Sequence, residues 1–146
     1  MFDETIKVIG NLHIVNTGSD GIVKDERSVS NLVVAVGKQV IAARLVGNTL
    51  AVPSYMAVGS SNTAAATSQT DLGAELGRVV LDSTTRTTNT IAYVATFPAG
   101  TGTGTLTEAG IFNASSSGNM LCRTNFNDVN KASGDTMVIT WNVTIA

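Results

Sequence analysis

The sequence predicts a mainly β fold, and we expect an antiparallel β-sandwich of jelly-roll type with an N-terminal β-hairpin and one short helix. The ten residues from Met137 to Ala146 alternate apolar and polar side chains, as a half-buried strand does. Similar segments recur along the chain and are separated by turns rich in Gly, Ser and Asn. Short strands at this spacing are typical of sandwiches and barrels.

The first two strands are predicted to form a hairpin. Residues 5–16 and 22–34 carry apolar side chains at alternate positions, and residues 18–21 between them supply two glycines and an aspartate for a turn. The Gly-Asn pair at 10–11 interrupts the first strand, which indicates a bulge or a close approach of the backbone.

The middle of the chain changes its pattern. Residues 37–46 repeat apolar side chains every three and four residues between two glycines, which predicts a helix of two to three turns. Residues 55–59 are predicted as a short buried strand and residues 60–70, rich in Ser, Thr, Ala and Asn, as an exposed loop. One helical turn is expected at 71–76.

The remaining strands are expected from apolar alternation, and residues 84–88 are expected to link two of them. The Gly-rich residues 98–105 are predicted to be a hairpin connection. They are not expected to bind phosphate, because a strand follows them where a phosphate loop would be followed by a helix. These strands are predicted at residues 78–83, 89–97, 105–113, 119–126 and 136–145.

The length predicts one domain over residues 1–146, in which the hairpin at 1–34 is either an integral part, a small subdomain or an interface arm. Charged residues make up only 14 % of the chain, against about 25 % in typical soluble domains, so uncharged polar groups must cover much of the surface. The net charge is -2 and the basic residues are dispersed, so we expect no nucleic-acid partner.

The sequence also predicts no membrane partner and no disulfide. No apolar run approaches the roughly 18 residues that span a bilayer. The residues after Met1 do not resemble a secretion signal, and Cys122 is the sole cysteine. These observations favour assembly in a reducing cytoplasm.

The titratable residues predict no catalytic site, no cofactor and no metal. His13 is the single histidine, and it is expected to face the opposite side of its strand from its apolar neighbours. Cys122 is expected to be a small buried side chain. Glu108 stands in an apolar strand as a general base, a subunit contact or a partner of Arg123, and the last is favoured. An enzyme would instead require Glu108, His13 or Cys122 to cluster in a pocket.

Two segments are the candidate contact surfaces. The charge cluster around Lys24 to Arg27 is typical of a solvated strand rim, and it is the densest group of charges available for binding. The second segment is the start of the predicted loop. The candidate interface residues are Lys24, Asp25, Glu26, Arg27, Ser60, Ser61, Asn62 and Thr63.

A glycan-binding module is the weaker binding hypothesis. Aromatic residues form only 5 % of the chain. Trp141, Tyr93 and Phe97 lie on the apolar sides of their predicted strands, where they would belong to the core rather than stack on a sugar.

Three stretches resemble small virion proteins of tailed bacteriophages: Asn31 to Lys38, Tyr55 to Ser60, and Gly104 to Asn113 followed by Met120 to Thr124. The resemblance implies a structural role in the virion, after assembly in the host cytoplasm.

Among virion roles, we expect a capsid decoration or cement protein, because the chain is compact and lacks the repetitive shaft of a fibre. The alternative is a tail, neck, baseplate or fibre adaptor. The expected partners are the major capsid protein or another virion protein, and further copies of the chain, with a trimer implied by the resemblance alone.

Overall fold

The computed structural model describes residues 4–47 and 50–146. Nine strands and one helix occur in these residues, which confirms a mainly β fold with one short helix. In chain order they are β1 (Val8–Thr17), β2 (Val23–Val33), α1 (Ala35–Leu45), β3 (Tyr55–Gly59), β4 (Glu75–Val80), β5 (Ser83–Thr87), β6 (Thr90–Phe97), β7 (Gly104–Phe112), β8 (Met120–Lys131) and β9 (Thr136–Ile145).

The described strands form one antiparallel sheet that curls into a half-barrel, so the jelly-roll sandwich is not confirmed. The strand order is β4-β3-β7-β8-β2-β1-β9-β6-β5. Strand β2 pairs with β1 over the positions from Val23 to Asn31, whereas only Leu32 and Val33 pair with β8. Because β2 belongs to both halves of the sheet, the two halves remain one hydrogen-bonded layer instead of two separate ones.

One apolar core draws side chains from both halves of the curled sheet. Trp141 and Phe97 come from one half, and Met56 and Ile111 come from the other. Trp141, Phe97 and Tyr93 are buried, as their positions in the sequence predicted. The indole N–H of Trp141 donates to the side-chain oxygen of Asn31 over 2.9 Å, which satisfies the one polar atom of this buried ring.

The predicted N-terminal hairpin is confirmed and lies between β8 and β9 in the sheet. A Cβ atom at Gly10 would lie 1.5 Å from the side-chain oxygen of Asn31, so the glycine allows the close approach that the sequence indicated. The bulge lies elsewhere, between Asn16 and Thr17.

Three predictions on the second half of the chain are wrong. The helical turn expected at 71–76 is absent from the described residues, since β4 begins at Glu75. The linker expected at 84–88 is largely strand β5, whose five side chains are all exposed and so carry no apolar alternation. Strand β8 continues past Phe126 to Lys131, because a bulge, rather than a turn, interrupts its alternation.

The helix predicted at 37–46 is confirmed and begins two residues earlier, at Ala35. Its first turn packs closely on β8, since a Cβ atom at Gly37 would lie 1.9 Å from the carbonyl oxygen of Leu121. Within the described residues, this helix is far shorter than a membrane crossing requires, and no other qualifies.

We expect Gly37→Ala to destabilise the protein, although alanine favours helices over glycine by about 1 kcal/mol. The added methyl group must displace either α1 or the backbone of β8, at a cost of about 1–3 kcal/mol. Urea unfolding would measure the change, with the exposed Gln39→Ala as a control on the same helix. A Gly37→Ala variant as stable as the control would contradict this account of the packing.

Candidate functional site: the cleft between β2 and β8

Strands β2 and β8 separate beyond their short paired segment and leave an open cleft. A cavity of about 850 Å³ lies between residues 27–29 of β2 and residues 125–127 of β8, with Asn62 at its rim. A second cavity of about 400 Å³ shares Asn62 and Asn125 with the first. We use "β2–β8 cleft" for the surface made of residues 27–32, 62, 64–65 and 123–127, which line the two cavities.

A bulge in β8 shapes one wall of the cleft. Leu106 and Glu108 of β7 pair with Val129 and Asn125 of β8, so residues 126–128 stand opposite a single residue of β7. The extra residues bend the strand and leave its carbonyl groups outside the regular ladder.

Arg27 satisfies two of these carbonyl groups from the other side of the cleft. Its guanidinium donates to the carbonyl oxygens of Asn127 and Asp128 over 2.7 and 3.2 Å. The same guanidinium pairs with both carboxylate oxygens of Asp25 at 3.0 and 2.6 Å. Arg27 therefore connects the two separated strands by its side chain.

The carboxylate of Glu108 fixes the segment at residues 60–74, which contains neither helix nor strand. It accepts hydrogen bonds from the backbone N–H groups of Ala74, Gly73 and Ser61 over 2.8, 2.9 and 3.2 Å. A fully buried acid thus holds both ends of an otherwise irregular loop.

Arg123 is the buried counter-charge of Glu108 and holds the middle of the same loop. It donates to Glu108 over 2.7 Å, to the carbonyl oxygen of Thr63 over 2.9 Å and to the side-chain oxygen of Gln69 over 3.0 Å. A fourth bond reaches Asn125 over 3.1 Å. The predicted pairing of Glu108 with Arg123 is confirmed.

The hydrogen bonds at Glu108 keep its carboxylate ionised. Burial raises its pKa, but the bonds from Gly73, Ala74, Arg123 and Ser61 lower it by more, and the net shift is downward. A carboxylate that is ionised, buried and saturated with donors is a structural group, which fits a role in holding the loop.

The predicted charge cluster on β2 is largely neutralised inside the chain. Lys24 lies 2.6 Å from Asp135, and Arg27 pairs with Asp25. Glu26 lies 3.0 Å from the imidazole of His13. Of the four residues at 24–27, Arg27 lines the cleft.

The second predicted contact segment forms one rim of the cleft. Ser60 donates its N–H to the carbonyl oxygen of Ala74 over 3.0 Å. The backbone atoms of Ser61 and Thr63 bond to the buried pair, while the side chain of Asn62 is exposed at the cavity. The structure therefore brings the two segments together at Arg27 and Asn62.

His13, Cys122 and Glu108 lie in three different environments. The imidazole of His13 is on the exposed face of β1 beside Glu26 and Ser28. Cys122 is fully buried in the core, and burial raises the pKa of its thiol well above the usual value. Within residues 4–47 and 50–146, no group of three or more His, Cys, Asp or Glu side chains is placed to hold a metal ion.

The sequence patterns did not predict a second polar cluster, which is formed around Lys131 and Asp135. Lys131 is only 1 % exposed, and its ammonium donates to the carbonyl oxygens of Pro98 and Asp135 over 2.9 and 2.7 Å. Burial lowers the pKa of Lys131, and the nearby Asp135 partly offsets this shift. Lys131 lies two residues after the buried Val129 and therefore faces the same side of β8. This spacing would have predicted that Lys131 is buried if the predicted strand had extended to residue 131.

The carboxylate of Asp135 holds this cluster together. It accepts hydrogen bonds from Lys24 over 2.6 Å, from the N–H of Ala132 over 2.8 Å and from Asn16 over 3.1 Å. The bond from Lys24, the bond from Ala132 and the smaller contribution of Asn16 lower the pKa of Asp135 to about 2 despite burial.

We expect Glu108→Gln to cost about 3–5 kcal/mol of unfolding free energy, because it leaves the guanidinium of Arg123 buried without a counter-charge. Hydrogen exchange at the amides of Ser61, Gly73 and Ala74 should accelerate together, since the three share one acceptor. The matched control is Asp71→Asn, which weakens a more exposed contact of 3.8 Å to Arg78. Unchanged stability and unchanged exchange would contradict the role of Glu108.

The ion pair at Asp135 should make stability depend on acid pH. Because its pKa is about 2 in the folded protein and roughly 3.9 in an unfolded chain, its stabilising effect is present above pH ~4 and is lost as pH falls toward 2. The difference in unfolding free energy between the native protein and Asp135→Asn should therefore be constant near neutral pH and shrink over that window. A difference that does not change with pH would be inconsistent with the lowered pKa.

Comparison with known proteins gives no match to the chain, neither from a family model nor from a curated protein or a solved structure. The resemblance to virion proteins rests on the three sequence stretches alone. A function must therefore be argued from the residues and their contacts.

Proposed function

We propose that this chain is a non-catalytic structural protein of a tailed-bacteriophage particle, and that it decorates or cements the outer shell in several copies. The observation that carries the proposal is the convergence of both candidate contact segments on the β2–β8 cleft. The partner is the major capsid protein or another virion protein.

The loop at the cleft rim is suited to repeated binding because its shape is fixed before a partner arrives. The buried Glu108 and Arg123 bond to its backbone at both ends and in the middle. A loop that is already ordered loses little conformational entropy on binding. The net binding free energy of a small contact is therefore more favourable than it would be for a flexible loop. Several copies on one particle would then add avidity.

The outward groups at the cleft are mostly small and uncharged. Ser28, Ser30, Asn62 and Ala64 line it and are exposed. Such a surface supports close packing between subunits by hydrogen bonds, with little desolvation of charge. The acids and bases nearest to it are already paired within the chain.

The stretches that resemble virion proteins build the support of this loop. The segments from Gly104 to Asn113 and from Met120 to Thr124 include all of β7 and the first part of β8, which pair with each other. They contribute Glu108 and Arg123. These stretches therefore contain the residues that hold the loop in place, which favours the proposed relation to structural virion proteins.

A tail, neck, baseplate or fibre adaptor is the second candidate, because the same cleft would serve contact with those components. A glycan-binding module has less support, since Trp141, Tyr93 and Phe97 are buried and offer no stacking surface.

The test is to prepare capsids and tails separately from particles that lack this protein and to mix each with the purified chain. A decoration role predicts saturable co-sedimentation with capsids and a higher temperature of DNA release. Binding to tails alone would support an adaptor, and binding to neither would contradict both virion roles.

We expect Asn62→Glu to weaken binding to the particle by about tenfold or more, because it places an unpaired charge within the contact, where desolvation is costly. Folding stability should be unchanged, since this side chain is exposed. Thr85→Glu on the exposed strand β5 adds the same charge away from the cleft and serves as the control. Equal binding of the two variants would exclude the cleft as the contact surface.

A further inference from the structure

Two cavities, each with a majority of apolar lining residues, flank the helix α1. One of about 450 Å³ lies between α1 and strands β5, β6 and β9, and one of about 540 Å³ lies between α1, β2 and residues 6–9. Ile41 lines both cavities, so the helix forms a ridge between two grooves. Both volumes are in the range of binding pockets, which is roughly 300–1,000 Å³.

Large apolar side chains are unusually exposed around this ridge. Leu45 is 84 % exposed, Ile6 71 % and Val52 52 %. Ile9 and Ile145, which also line these grooves, are 53 % and 38 % exposed. Exposed apolar side chains gathered on one part of a protein surface are typical of an interaction site.

The charged residues that line the two grooves are all basic. They are Lys7, Lys38, Arg44 and Arg86. We call the grooves together with their lining residues the basic apolar end. In a chain with net charge -2, four of the nine basic residues meet at this end.

The other five basic residues have acidic neighbours inside the fold. Four of them form ion pairs with carboxylates, and Lys131 interacts electrostatically with Asp135; the four are Lys24, Arg27, Arg78 and Arg123. By contrast, within the residues that the structure describes, no ion pair joins Lys7, Lys38 or Arg86 to an acid. In the described part of the chain, Lys7, Lys38 and Arg86 therefore place positive charge without an acidic partner beside the exposed apolar side chains.

We propose that the basic apolar end binds an acidic segment of a different protein, one that carries apolar side chains between its carboxylates. Apolar side chains of the segment would enter the grooves on either side of α1, and its carboxylates would pair with the surrounding cations. This surface adjoins the β2–β8 cleft and shares Asn31 and Leu32 with it. Its basic residues all lie outside the cleft, and the inference does not depend on the proposed virion role.

Charge and shape distinguish this partner from other occupants. A second copy presenting the same face would bring like charges together, which is unfavourable. A fatty acid carries one charge, whereas the cations are distributed over two grooves. A bilayer is contacted best by protruding apolar groups, whereas much of the apolar surface here lies in recesses beside a ridge.

The test uses the intact protein and two fluorescein-labelled helical peptides of leucine with either glutamate or lysine at every polar position. Fluorescence anisotropy should show saturable binding of the glutamate peptide, weakened by added salt, and at least tenfold weaker binding of the lysine peptide. Equal binding of the two peptides, or binding of neither, would overturn the proposal.

Charge-matched variants locate the binding surface. Replacing both Lys38→Gln and Arg86→Gln should weaken binding of the glutamate peptide by about threefold to tenfold, as expected for two exposed ion pairs. Ser19→Glu with Ser116→Glu changes the net charge equally at exposed positions outside both grooves and should have a smaller effect. Equal losses in the two double variants would show a general charge effect and overturn the assignment.

A third variant and two other ligands test the apolar part and the nature of the partner. Leu45→Ser should weaken binding without loss of stability, because this side chain is already exposed. Dodecanoate or phosphatidylserine vesicles that bind the protein more tightly than the glutamate peptide does would contradict a polypeptide partner. Formation of dimers through this end would do so as well.

Discussion

The buried ion pair between Glu108 and Arg123 is the constraint on which the surface of this protein depends. The two residues come from neighbouring strands and face the same irregular segment of fifteen residues, 60–74. Burying two charges is costly unless their polar atoms find partners, and here the loop backbone supplies most of the partners outside the pair. The pair and the loop therefore require each other: without the loop the charges would lose most of their hydrogen bonds, and without the charges the loop would lose the bonds that fix its shape.

Sequence patterns predicted those parts of the fold in which burial alternates regularly. The N-terminal hairpin follows from apolar alternation, and the strand Tyr55–Gly59 follows from a short run of mostly apolar residues. The pairing of Glu108 with Arg123 follows from two charges in apolar strands. Sequence patterns did not predict β5, whose residues are all exposed and which is defined by its backbone hydrogen bonds alone. They also did not predict the full length of β8, because a bulge changes which of its residues face the core. The cleft itself could not be predicted, because it arises from β2 pairing with two different strands.

The distribution of charge gives the molecule two kinds of surface. Around the β2–β8 cleft, the cationic side chains are matched by acids within the chain, and the exposed groups are small and uncharged. Around α1, the described residues include Lys7, Lys38 and Arg86, which accompany apolar side chains and form no ion pair with a described acid. The low overall charge of the chain thus conceals a local asymmetry that gives the two surfaces different binding preferences.

The position of the N-terminal hairpin within the sheet has a consequence for synthesis on the ribosome. Strand β1 pairs with β9 over ten positions, from Val8 opposite Ile145 to Thr17 opposite Thr136. The outer edge of β1 therefore stays uncovered until residues 136–145 have been synthesised, and pairings so distant in sequence form slowly. During that interval an apolar strand edge is open to other nascent chains, a period in which chaperones or low expression would limit aggregation.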